Sequence, residues 1–358
     1  MNDPVPPSIP PITPPASHHP PPSRRRQRGC LVGCLAALVI GIGLAVLGVM
    51  VLRTVAESFA AQGENPGNDD FPGLTEVWTA GDGPQRVARI HVNGVIQLNS
   101  GRWWSDQGSP DLALAGIRRA TRDGRVRGLI LEVNSPGGGI TASDILHNAL
   151  LEFKAADPGR RVLVLMHDLA ASGAYYIACA ADEIIAHPTT LTGSIGVIMQ
   201  SYNIHRLAET IGVTDVTVKS GANKDLLNPF RPVNDGQVET LVQPLVDTLF
   251  ARFLDVVAKG RGIPPETLRP LADGRLFDAQ SALDNKLVDA IGYRARSEAR
   301  MAELLGAPVT IFRYEESFRL GALFRQSLMR YQRGAGIGAE LKSIMDTADA
   351  RFMYLWRP

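Results

Sequence analysis

The stretch HDLAASGAYYIACAAD, residues 167–182, decides how the chain is read. RVLVLMH (161–167) is a short apolar run of strand type, and SGAYYIACAA (172–181) reads as a helix, so Ser172 stands at a strand-to-helix joint. One unit earlier the pattern is the same. RGLILEVN (127–134) is an apolar strand, SPGGGI (135–140) a glycine-rich turn, and TASDILHNALLEFKAA (141–156) a helix. Successive βα units imply a parallel sheet, and they bring the glycine turn and Ser172 to the same carboxyl edge of it. The commonest role of a serine at such a joint is to cap the helix. No G-x-S-x-G elbow surrounds this one.

Outward from that point the alternation continues. VARIHVNGVI (87–96) is a strand and PDLALAGIRRATRD (110–123) an amphipathic helix. DEIIAHP (182–188) and TGSIGVIMQ (192–200) are further strands, and KSGANKDLLNPFRPV (219–233) is a turn-rich loop. VETLVQPLVDTLFARFLDVVAKGRG (238–262) reads as one long helix carrying a proline, and GRLFDAQSALDNKLVDAIG (274–292) as a strand-helix-strand closure. The class is α/β. A C-terminal helical extension over 301–358 is expected, ending in an amphipathic helix, ELKSIMDTADARFMYLWRP (340–358), whose aromatic tip packs on the surface in preference to docking in a groove.

The amino-terminal part is of another kind. Residues 1–28 hold ten of the 25 prolines before 24 and four arginines at 24–28, which predicts a disordered, solvated tail. Gly29 to Leu52 carries no charge over 24 residues, enough to span a hydrocarbon core of about 30 Å and too long for a signal-peptide core. The arginines precede this span and acidic residues follow it, so the tail is expected in the cytoplasm and the rest, after a flexible linker at 53–84, outside. Cys30, Cys34 and Cys179 form neither a disulfide framework nor a zinc pattern. With 37 basic and 36 acidic side chains there is no electrostatic footprint for nucleic acid. No metal or cofactor is implied.

Gly137, Gly138 and Gly139 lack Cβ atoms and can aim N–H groups at a developing oxyanion; the Gly173 N–H can complete such a hole beside Ser172. A phosphate cradle is disfavoured because the Lys-Ser/Thr ending of a P-loop is missing. A nucleophilic serine needs a base. None of the histidines at 91, 147, 167, 187 and 205 sits in a glycine-flanked loop, whereas Lys219 and Lys224 lie in KSGANKD. A lysine serves as base when burial or neighbouring charge lowers its pKa from about 10.4.

The ordered blocks NSPGGG (134–139), AASGAYYIACAAD (170–182), TGSIGV (192–197), KSGANKD (219–225) and GRLFDAQSALDNKLVDAIG (274–292) resemble the bacterial signal peptide peptidase A family over residues 86–295. That resemblance implies a ClpP/crotonase-like domain, a repeated ββα spiral over 85–300. It also implies a membrane-anchored homo-oligomer that encloses its own active sites and cleaves signal-peptide remnants. By position it makes Ser172 the nucleophile, Lys224 the base, Ser194 the hydroxyl that orients the lysine, and Gly138 and Gly173 the oxyanion donors. Lys219 is then not the base. In short members of the family the serine and lysine of one site come from neighbouring subunits. The chain departs from the pattern at Ala174, where the family has glycine, and at 278–281, where it usually has Gly-x-x-Ala. The competing readings are a crotonase-like acyl-CoA enzyme and an inactive membrane scaffold.

Overall fold

The computed structural model of the chain describes residues 74–98, 109–316 and 351–356, together with single positions between 41 and 53. Those positions, Gly41, Ile42, Val46, Gly48, Val49, Met50 and Arg53, are helical and belong to a unit separate from the rest. Among the described residues no helix is long and apolar enough to cross a membrane. The expected tail, and most of the expected span, lie outside those residues.

The second unit begins with β1 (Leu74–Ala80), β2 (Gln85–Asn93), α1 (Pro110–Arg122), β3 (Val126–Ser135), the three-residue β4 (Gly137–Gly139) and α2 (Ile140–Ala155). It continues through β5 (Arg161–Ala171), α3 (Gly173–Ala178), β6 (Glu183–Ala186), β7 (Leu191–Gly193) and β8 (Ile198–Gln200). Then come α4 (His205–Thr210), α5 (Asp235–Leu241), α6 (Gln243–Arg261) and α7 (Pro265–Leu268). It closes with β9 (Leu276–Asp278), α8 (Ala279–Asp284), β10 (Ala290–Ile291), α9 (Arg294–Leu305), β11 (Val309–Glu316) and β12 (Arg351–Leu355).

The main sheet runs β1-β11-β2-β3-β5-β6-β10, parallel from β11 to β10, with β1 antiparallel at one edge. Its strands read as near-continuous apolar runs because both faces are covered. Side chains alternate between faces, so Ile90, Leu131, Val133 and Val164 pack with Ile117, Leu146 and Phe153 of α1 and α2, while Val87, Ile130, Leu163 and Ile185 pack with Met301 of α9. Local signals fix the helix ends. Ser109 accepts the Leu112 N–H at the start of α1, with Pro110 in the first turn, and Gly262 closes α6 in the left-handed region.

The structure departs from the sequence reading in four places. The linker expected over 53–84 contains β1, whose β-branched and aromatic residues pair with β11. The single helix expected over 238–262 is two, because Pro244 has no N–H to continue the ladder and α5 stops at Leu241. TGSIGVIMQ is not one strand but β7 and β8 separated by Ser194 to Val197. The C-terminal helix is not found in its described part. Residues 309–316 and 351–355 are strands, and only Arg294–Leu305 is helical in that region. β12 finds open backbone on both sides, pairing antiparallel with β4 and β8 in a second, three-stranded sheet.

Candidate active site

The glycine turn is an extended strand whose two edges face different partners. On one edge Ile96 donates to the Gly137 carbonyl and accepts from the Gly139 N–H, both at 2.8 Å. That pairing leaves the Gly138 N–H pointing to the opposite edge. Glycine is required here by space. A Cβ on Gly138 would lie 2.1 Å from the Ile96 oxygen, and one on Gly137, whose φ is +95°, would lie 2.6 Å from the Gly173 nitrogen.

Ser172 sits where β5 turns into α3. Its φ of 56° and ψ of −116° are unusual for a residue with a Cβ, and strain of this kind concentrates at functional sites. Its backbone is fully used, donating to the Gly193 carbonyl at 2.8 Å and accepting from the Tyr176 N–H at 2.9 Å. Its side chain does not cap the helix, so the ordinary role of a serine at this joint is not the one seen. The residue is buried, as is Ala174 beside it.

Ser194 stands next to it. β5 and β7 are parallel with Ala171 opposite Gly193, so the two strands deliver Ser172 and Ser194 side by side at the same edge. Ser194 is also left-handed, at φ 49°, and its N–H donates to the Arg275 carbonyl at 2.8 Å. Gly138, the adjacent Ser172 and Gly173, and Ser194 are therefore gathered at one place by three backbone segments.

Lys224 is not gathered with them. It is exposed in the loop after Val218, and its amine makes no ion pair or hydrogen bond among the described residues. Lys219 is tied down instead, bridging Asp225 at 2.5 Å and the Ala222 carbonyl at 3.0 Å; that hydrogen bond holds the Asp225 carboxyl below the usual range. Arg231 braces the same loop through Asp215 and Asp225. Around the loop large apolar side chains face solvent, with Val216 87% and Val218 98% exposed.

The aromatic C-terminus, expected to pack on the surface as a helix tip in preference to docking in a groove, occupies a groove as a strand. β12 lies in register with β4, Tyr354 opposite Gly138, and the Trp356 N–H donates to the Pro136 carbonyl at 2.9 Å. Hydrogen-bonded positions alternate along such a ladder, so the Gly138 N–H is turned to the Tyr354 carbonyl. That oxygen is 3.0 Å from the point where a Cβ on Gly173 would stand. The Tyr354 ring is fully buried against Tyr176 and Phe253, with centroids at 5.2 and 4.6 Å, and its hydroxyl donates to the Leu249 carbonyl at 2.9 Å. The signal available was the aromatic cluster FMYLW (352–356), which fits a strand as readily as a helix tip.

Among the described residues no histidine is hydrogen-bonded to Ser172 as a base would be. His91 and His167 both approach the buried Glu132, and His147 packs edge-on to Tyr176, its pKa pushed down to about 4 by burial. Among the described residues no cluster of His, Cys, Asp and Glu fits a metal ion.

Residues 154–307 match the model of peptidase family S49. A protein of Enterococcus faecium that bears the provisional name signal peptide peptidase SppA is 38% identical over 220 residues, 61% of this chain and 63% of that one. The serine protease SPPA of Arabidopsis thaliana chloroplasts is 32% identical over 238 residues, 65% of this chain and 34% of that one. The chain thus spans from about a third to under two thirds of these relatives. A protein of Synechocystis sp. bearing the provisional name of a protease is 31% identical over 222 residues, 62% of this chain and 75% of its own length. With the family match on the βα units that carry Ser172 and Ser194, and a relative covered over three quarters of its length, the chain belongs to peptidase family S49.

Proposed function

We propose that the chain is a serine endopeptidase in which Ser172 is the nucleophile and Lys224 the base. The observation that carries this reading is the in-register peptide strand whose carbonyl at Tyr354 faces Gly138 and Gly173 beside a strained, non-capping serine. The Ser172 Oγ gives its proton to the neutral Lys224 amine and attacks the peptide carbonyl carbon. The oxyanion is held by the Gly138 and Gly173 N–H groups. Lys224 then passes the proton to the departing amine, leaving an acyl-enzyme that water hydrolyses with the same lysine as base. Ser194 orients the lysine amine.

Lys224 reaches Ser172 from a second copy of the chain. An exposed, unpaired lysine on a loop with solvent-facing Val216 and Val218 supports this, because covering that loop removes apolar surface from water and desolvates the amine. The 24 uncharged residues at 29–52 anchor the enzyme with its tail in the cytoplasm, and the substrates are signal-peptide remnants and other short apolar peptides at the outer face. A self-contained test of the shared site is subunit mixing. Ser172→Ala and Lys224→Ala proteins, each inactive alone, regain activity when co-assembled; failure to regain it, with mixed oligomers verified, overturns the shared site.

A further inference from the structure

Between the pairs Val133 with Met166 and Ser135 with Ala170 the register of β3 and β5 shifts, so that Asn134 alone stands opposite His167, Asp168 and Leu169. This is a bulge of two extra residues on β5. Continued without it, the first register would set Ser172 level with Gly139; with it Ser172 is level with Gly137, about 7 Å back along the strand. The surroundings of Gly137 agree. A Cβ there would meet the Ala171 oxygen and the Gly173 nitrogen, which flank Ser172. At the same point β5 changes neighbour, from β6 over 163–166 to β7 over 169–171.

A bulge takes backbone groups out of the ladder, and each then needs another partner. The Met166 carbonyl accepts the His187 N–H at 3.0 Å, and the His167 carbonyl accepts the buried Thr190 hydroxyl at 2.5 Å. The Leu169 N–H donates to the Asn134 side-chain oxygen at 3.3 Å, while the Asn134 amide nitrogen donates to the Asp168 carboxylate, also at 3.3 Å. A side-chain amide supplies the acceptor and the donor that this arrangement needs together. The backbone carbonyl of Asn134 accepts the Gly94 N–H at 3.0 Å, and two residues on Ile96 brackets Gly138 through its bonds to Gly137 and Gly139. We propose that Asn134 is a positioning residue that sets the nucleophile in register with the oxyanion donors. Its side chain holds the bulge that levels Ser172, and its carbonyl holds the turn that steadies the Gly138 strand. This rests on the peptidase reading given above.

The test compares the purified full-length chain with Asn134→Ala, Asn134→Asp, Asp168→Asn and the exchanged pair, Asn134→Asp with Asp168→Asn. An internally quenched short apolar peptide reports kcat and KM, a fluorophosphonate reports the rate of Ser172 labelling, and thermal melts report folding. Asn134→Ala is expected to lower kcat about 10- to 100-fold and labelling in proportion, with KM within about twofold, as displacement of a reacting atom does. Asn134→Asp sets two carboxylates against each other and loses about 10-fold in kcat. Asp168→Asn keeps an acceptor for the Asn134 amide and stays within about twofold of wild type. The exchanged pair restores both bonds and regains kcat to within about threefold of wild type. A wild-type kcat in folded Asn134→Ala, or an exchanged pair no faster than Asn134→Asp, overturns the positioning role; with wild-type Ser172 labelled by the probe, the peptidase stands. Where Asn134→Ala does not fold, Asn134→Asp and the exchanged pair decide alone. A wild-type chain that is neither labelled nor able to cleave overturns both.

Discussion

Tyr354 lies directly opposite Gly138 in the antiparallel ladder between β12 and β4, and its carbonyl oxygen falls between the backbone of Gly138 and that of Gly173. Tyr354 thereby sits in a strand inserted between β4 and β8, its ring packed against Tyr176 and Phe253. On the proposed function a substrate peptide adds to the sheet in the same way, with main-chain hydrogen bonds setting its register.

Gly173→Ala is expected to lower kcat by about 100-fold or more, since its methyl would sit 3.0 Å from the Tyr354 carbonyl oxygen, where the proposed oxyanion is held, and 2.5 Å from the Ser143 hydroxyl. Adding Ser143→Ala relieves the second contact but not the first. Steady-state kinetics of both variants, with circular dichroism to verify folding, check this; recovery of activity in the double variant would place the obstruction at Ser143.

Glu132 is buried, and burial alone would raise its pKa. The bonds it accepts from His167, His91 and Arg294 outweigh that and hold the carboxyl far below the usual range. A depressed folded pKa stabilises the fold above the unfolded value of about 4.3, and that stability is lost as pH falls from there toward the folded pKa. Glu132→Gln should therefore cost about 3–5 kcal/mol at pH 7. The deficit against wild type should narrow below about pH 4. Urea denaturation of both proteins at the two pH values measures it.

Cys179 is fully enclosed at the end of α3, and burial pushes its thiol up to about 12. Iodoacetamide at pH 8 should leave Cys179 unmodified in the native protein and modify it promptly in urea, as peptide mass mapping will report.

Tyr354→Ala removes the ring packed against Tyr176 and Phe253. Deleting a buried ring of this size weakens the seat of β12 by about 3–5 kcal/mol. Hydrogen exchange should then rise at residues 351–356 while the amides of β3 and β5 stay protected. The apparent KM for an added peptide should fall, because the seated segment occupies the groove a substrate must enter.

The α/β class and the meeting of Ser172 with the glycine turn were legible because they depend on local pattern: apolar runs, a glycine triplet and the rule that successive βα loops share one sheet edge. The strained φ of Ser172 was not, since it occurs at a joint whose N–H is bound by the Gly193 carbonyl, a partner set by tertiary pairing of β5 and β7 and not by local pattern. β12 was misread for a similar reason. ARFMYLW carries apolar residues at both helix and strand spacing, and the choice was made by vacant backbone on β4 and β8, more than 150 residues away in sequence. The break before α6 is legible in Pro244, which sits in the first turn of that helix within a long apolar run.

The most direct test of the central assignment is labelling of the purified protein with a fluorophosphonate, followed by mass spectrometry of the modified peptide. One adduct is expected, on Ser172, kept in Lys219→Ala and lost in Lys224→Ala. An adduct on another residue, or undiminished labelling of Ser172 in Lys224→Ala, would contradict it.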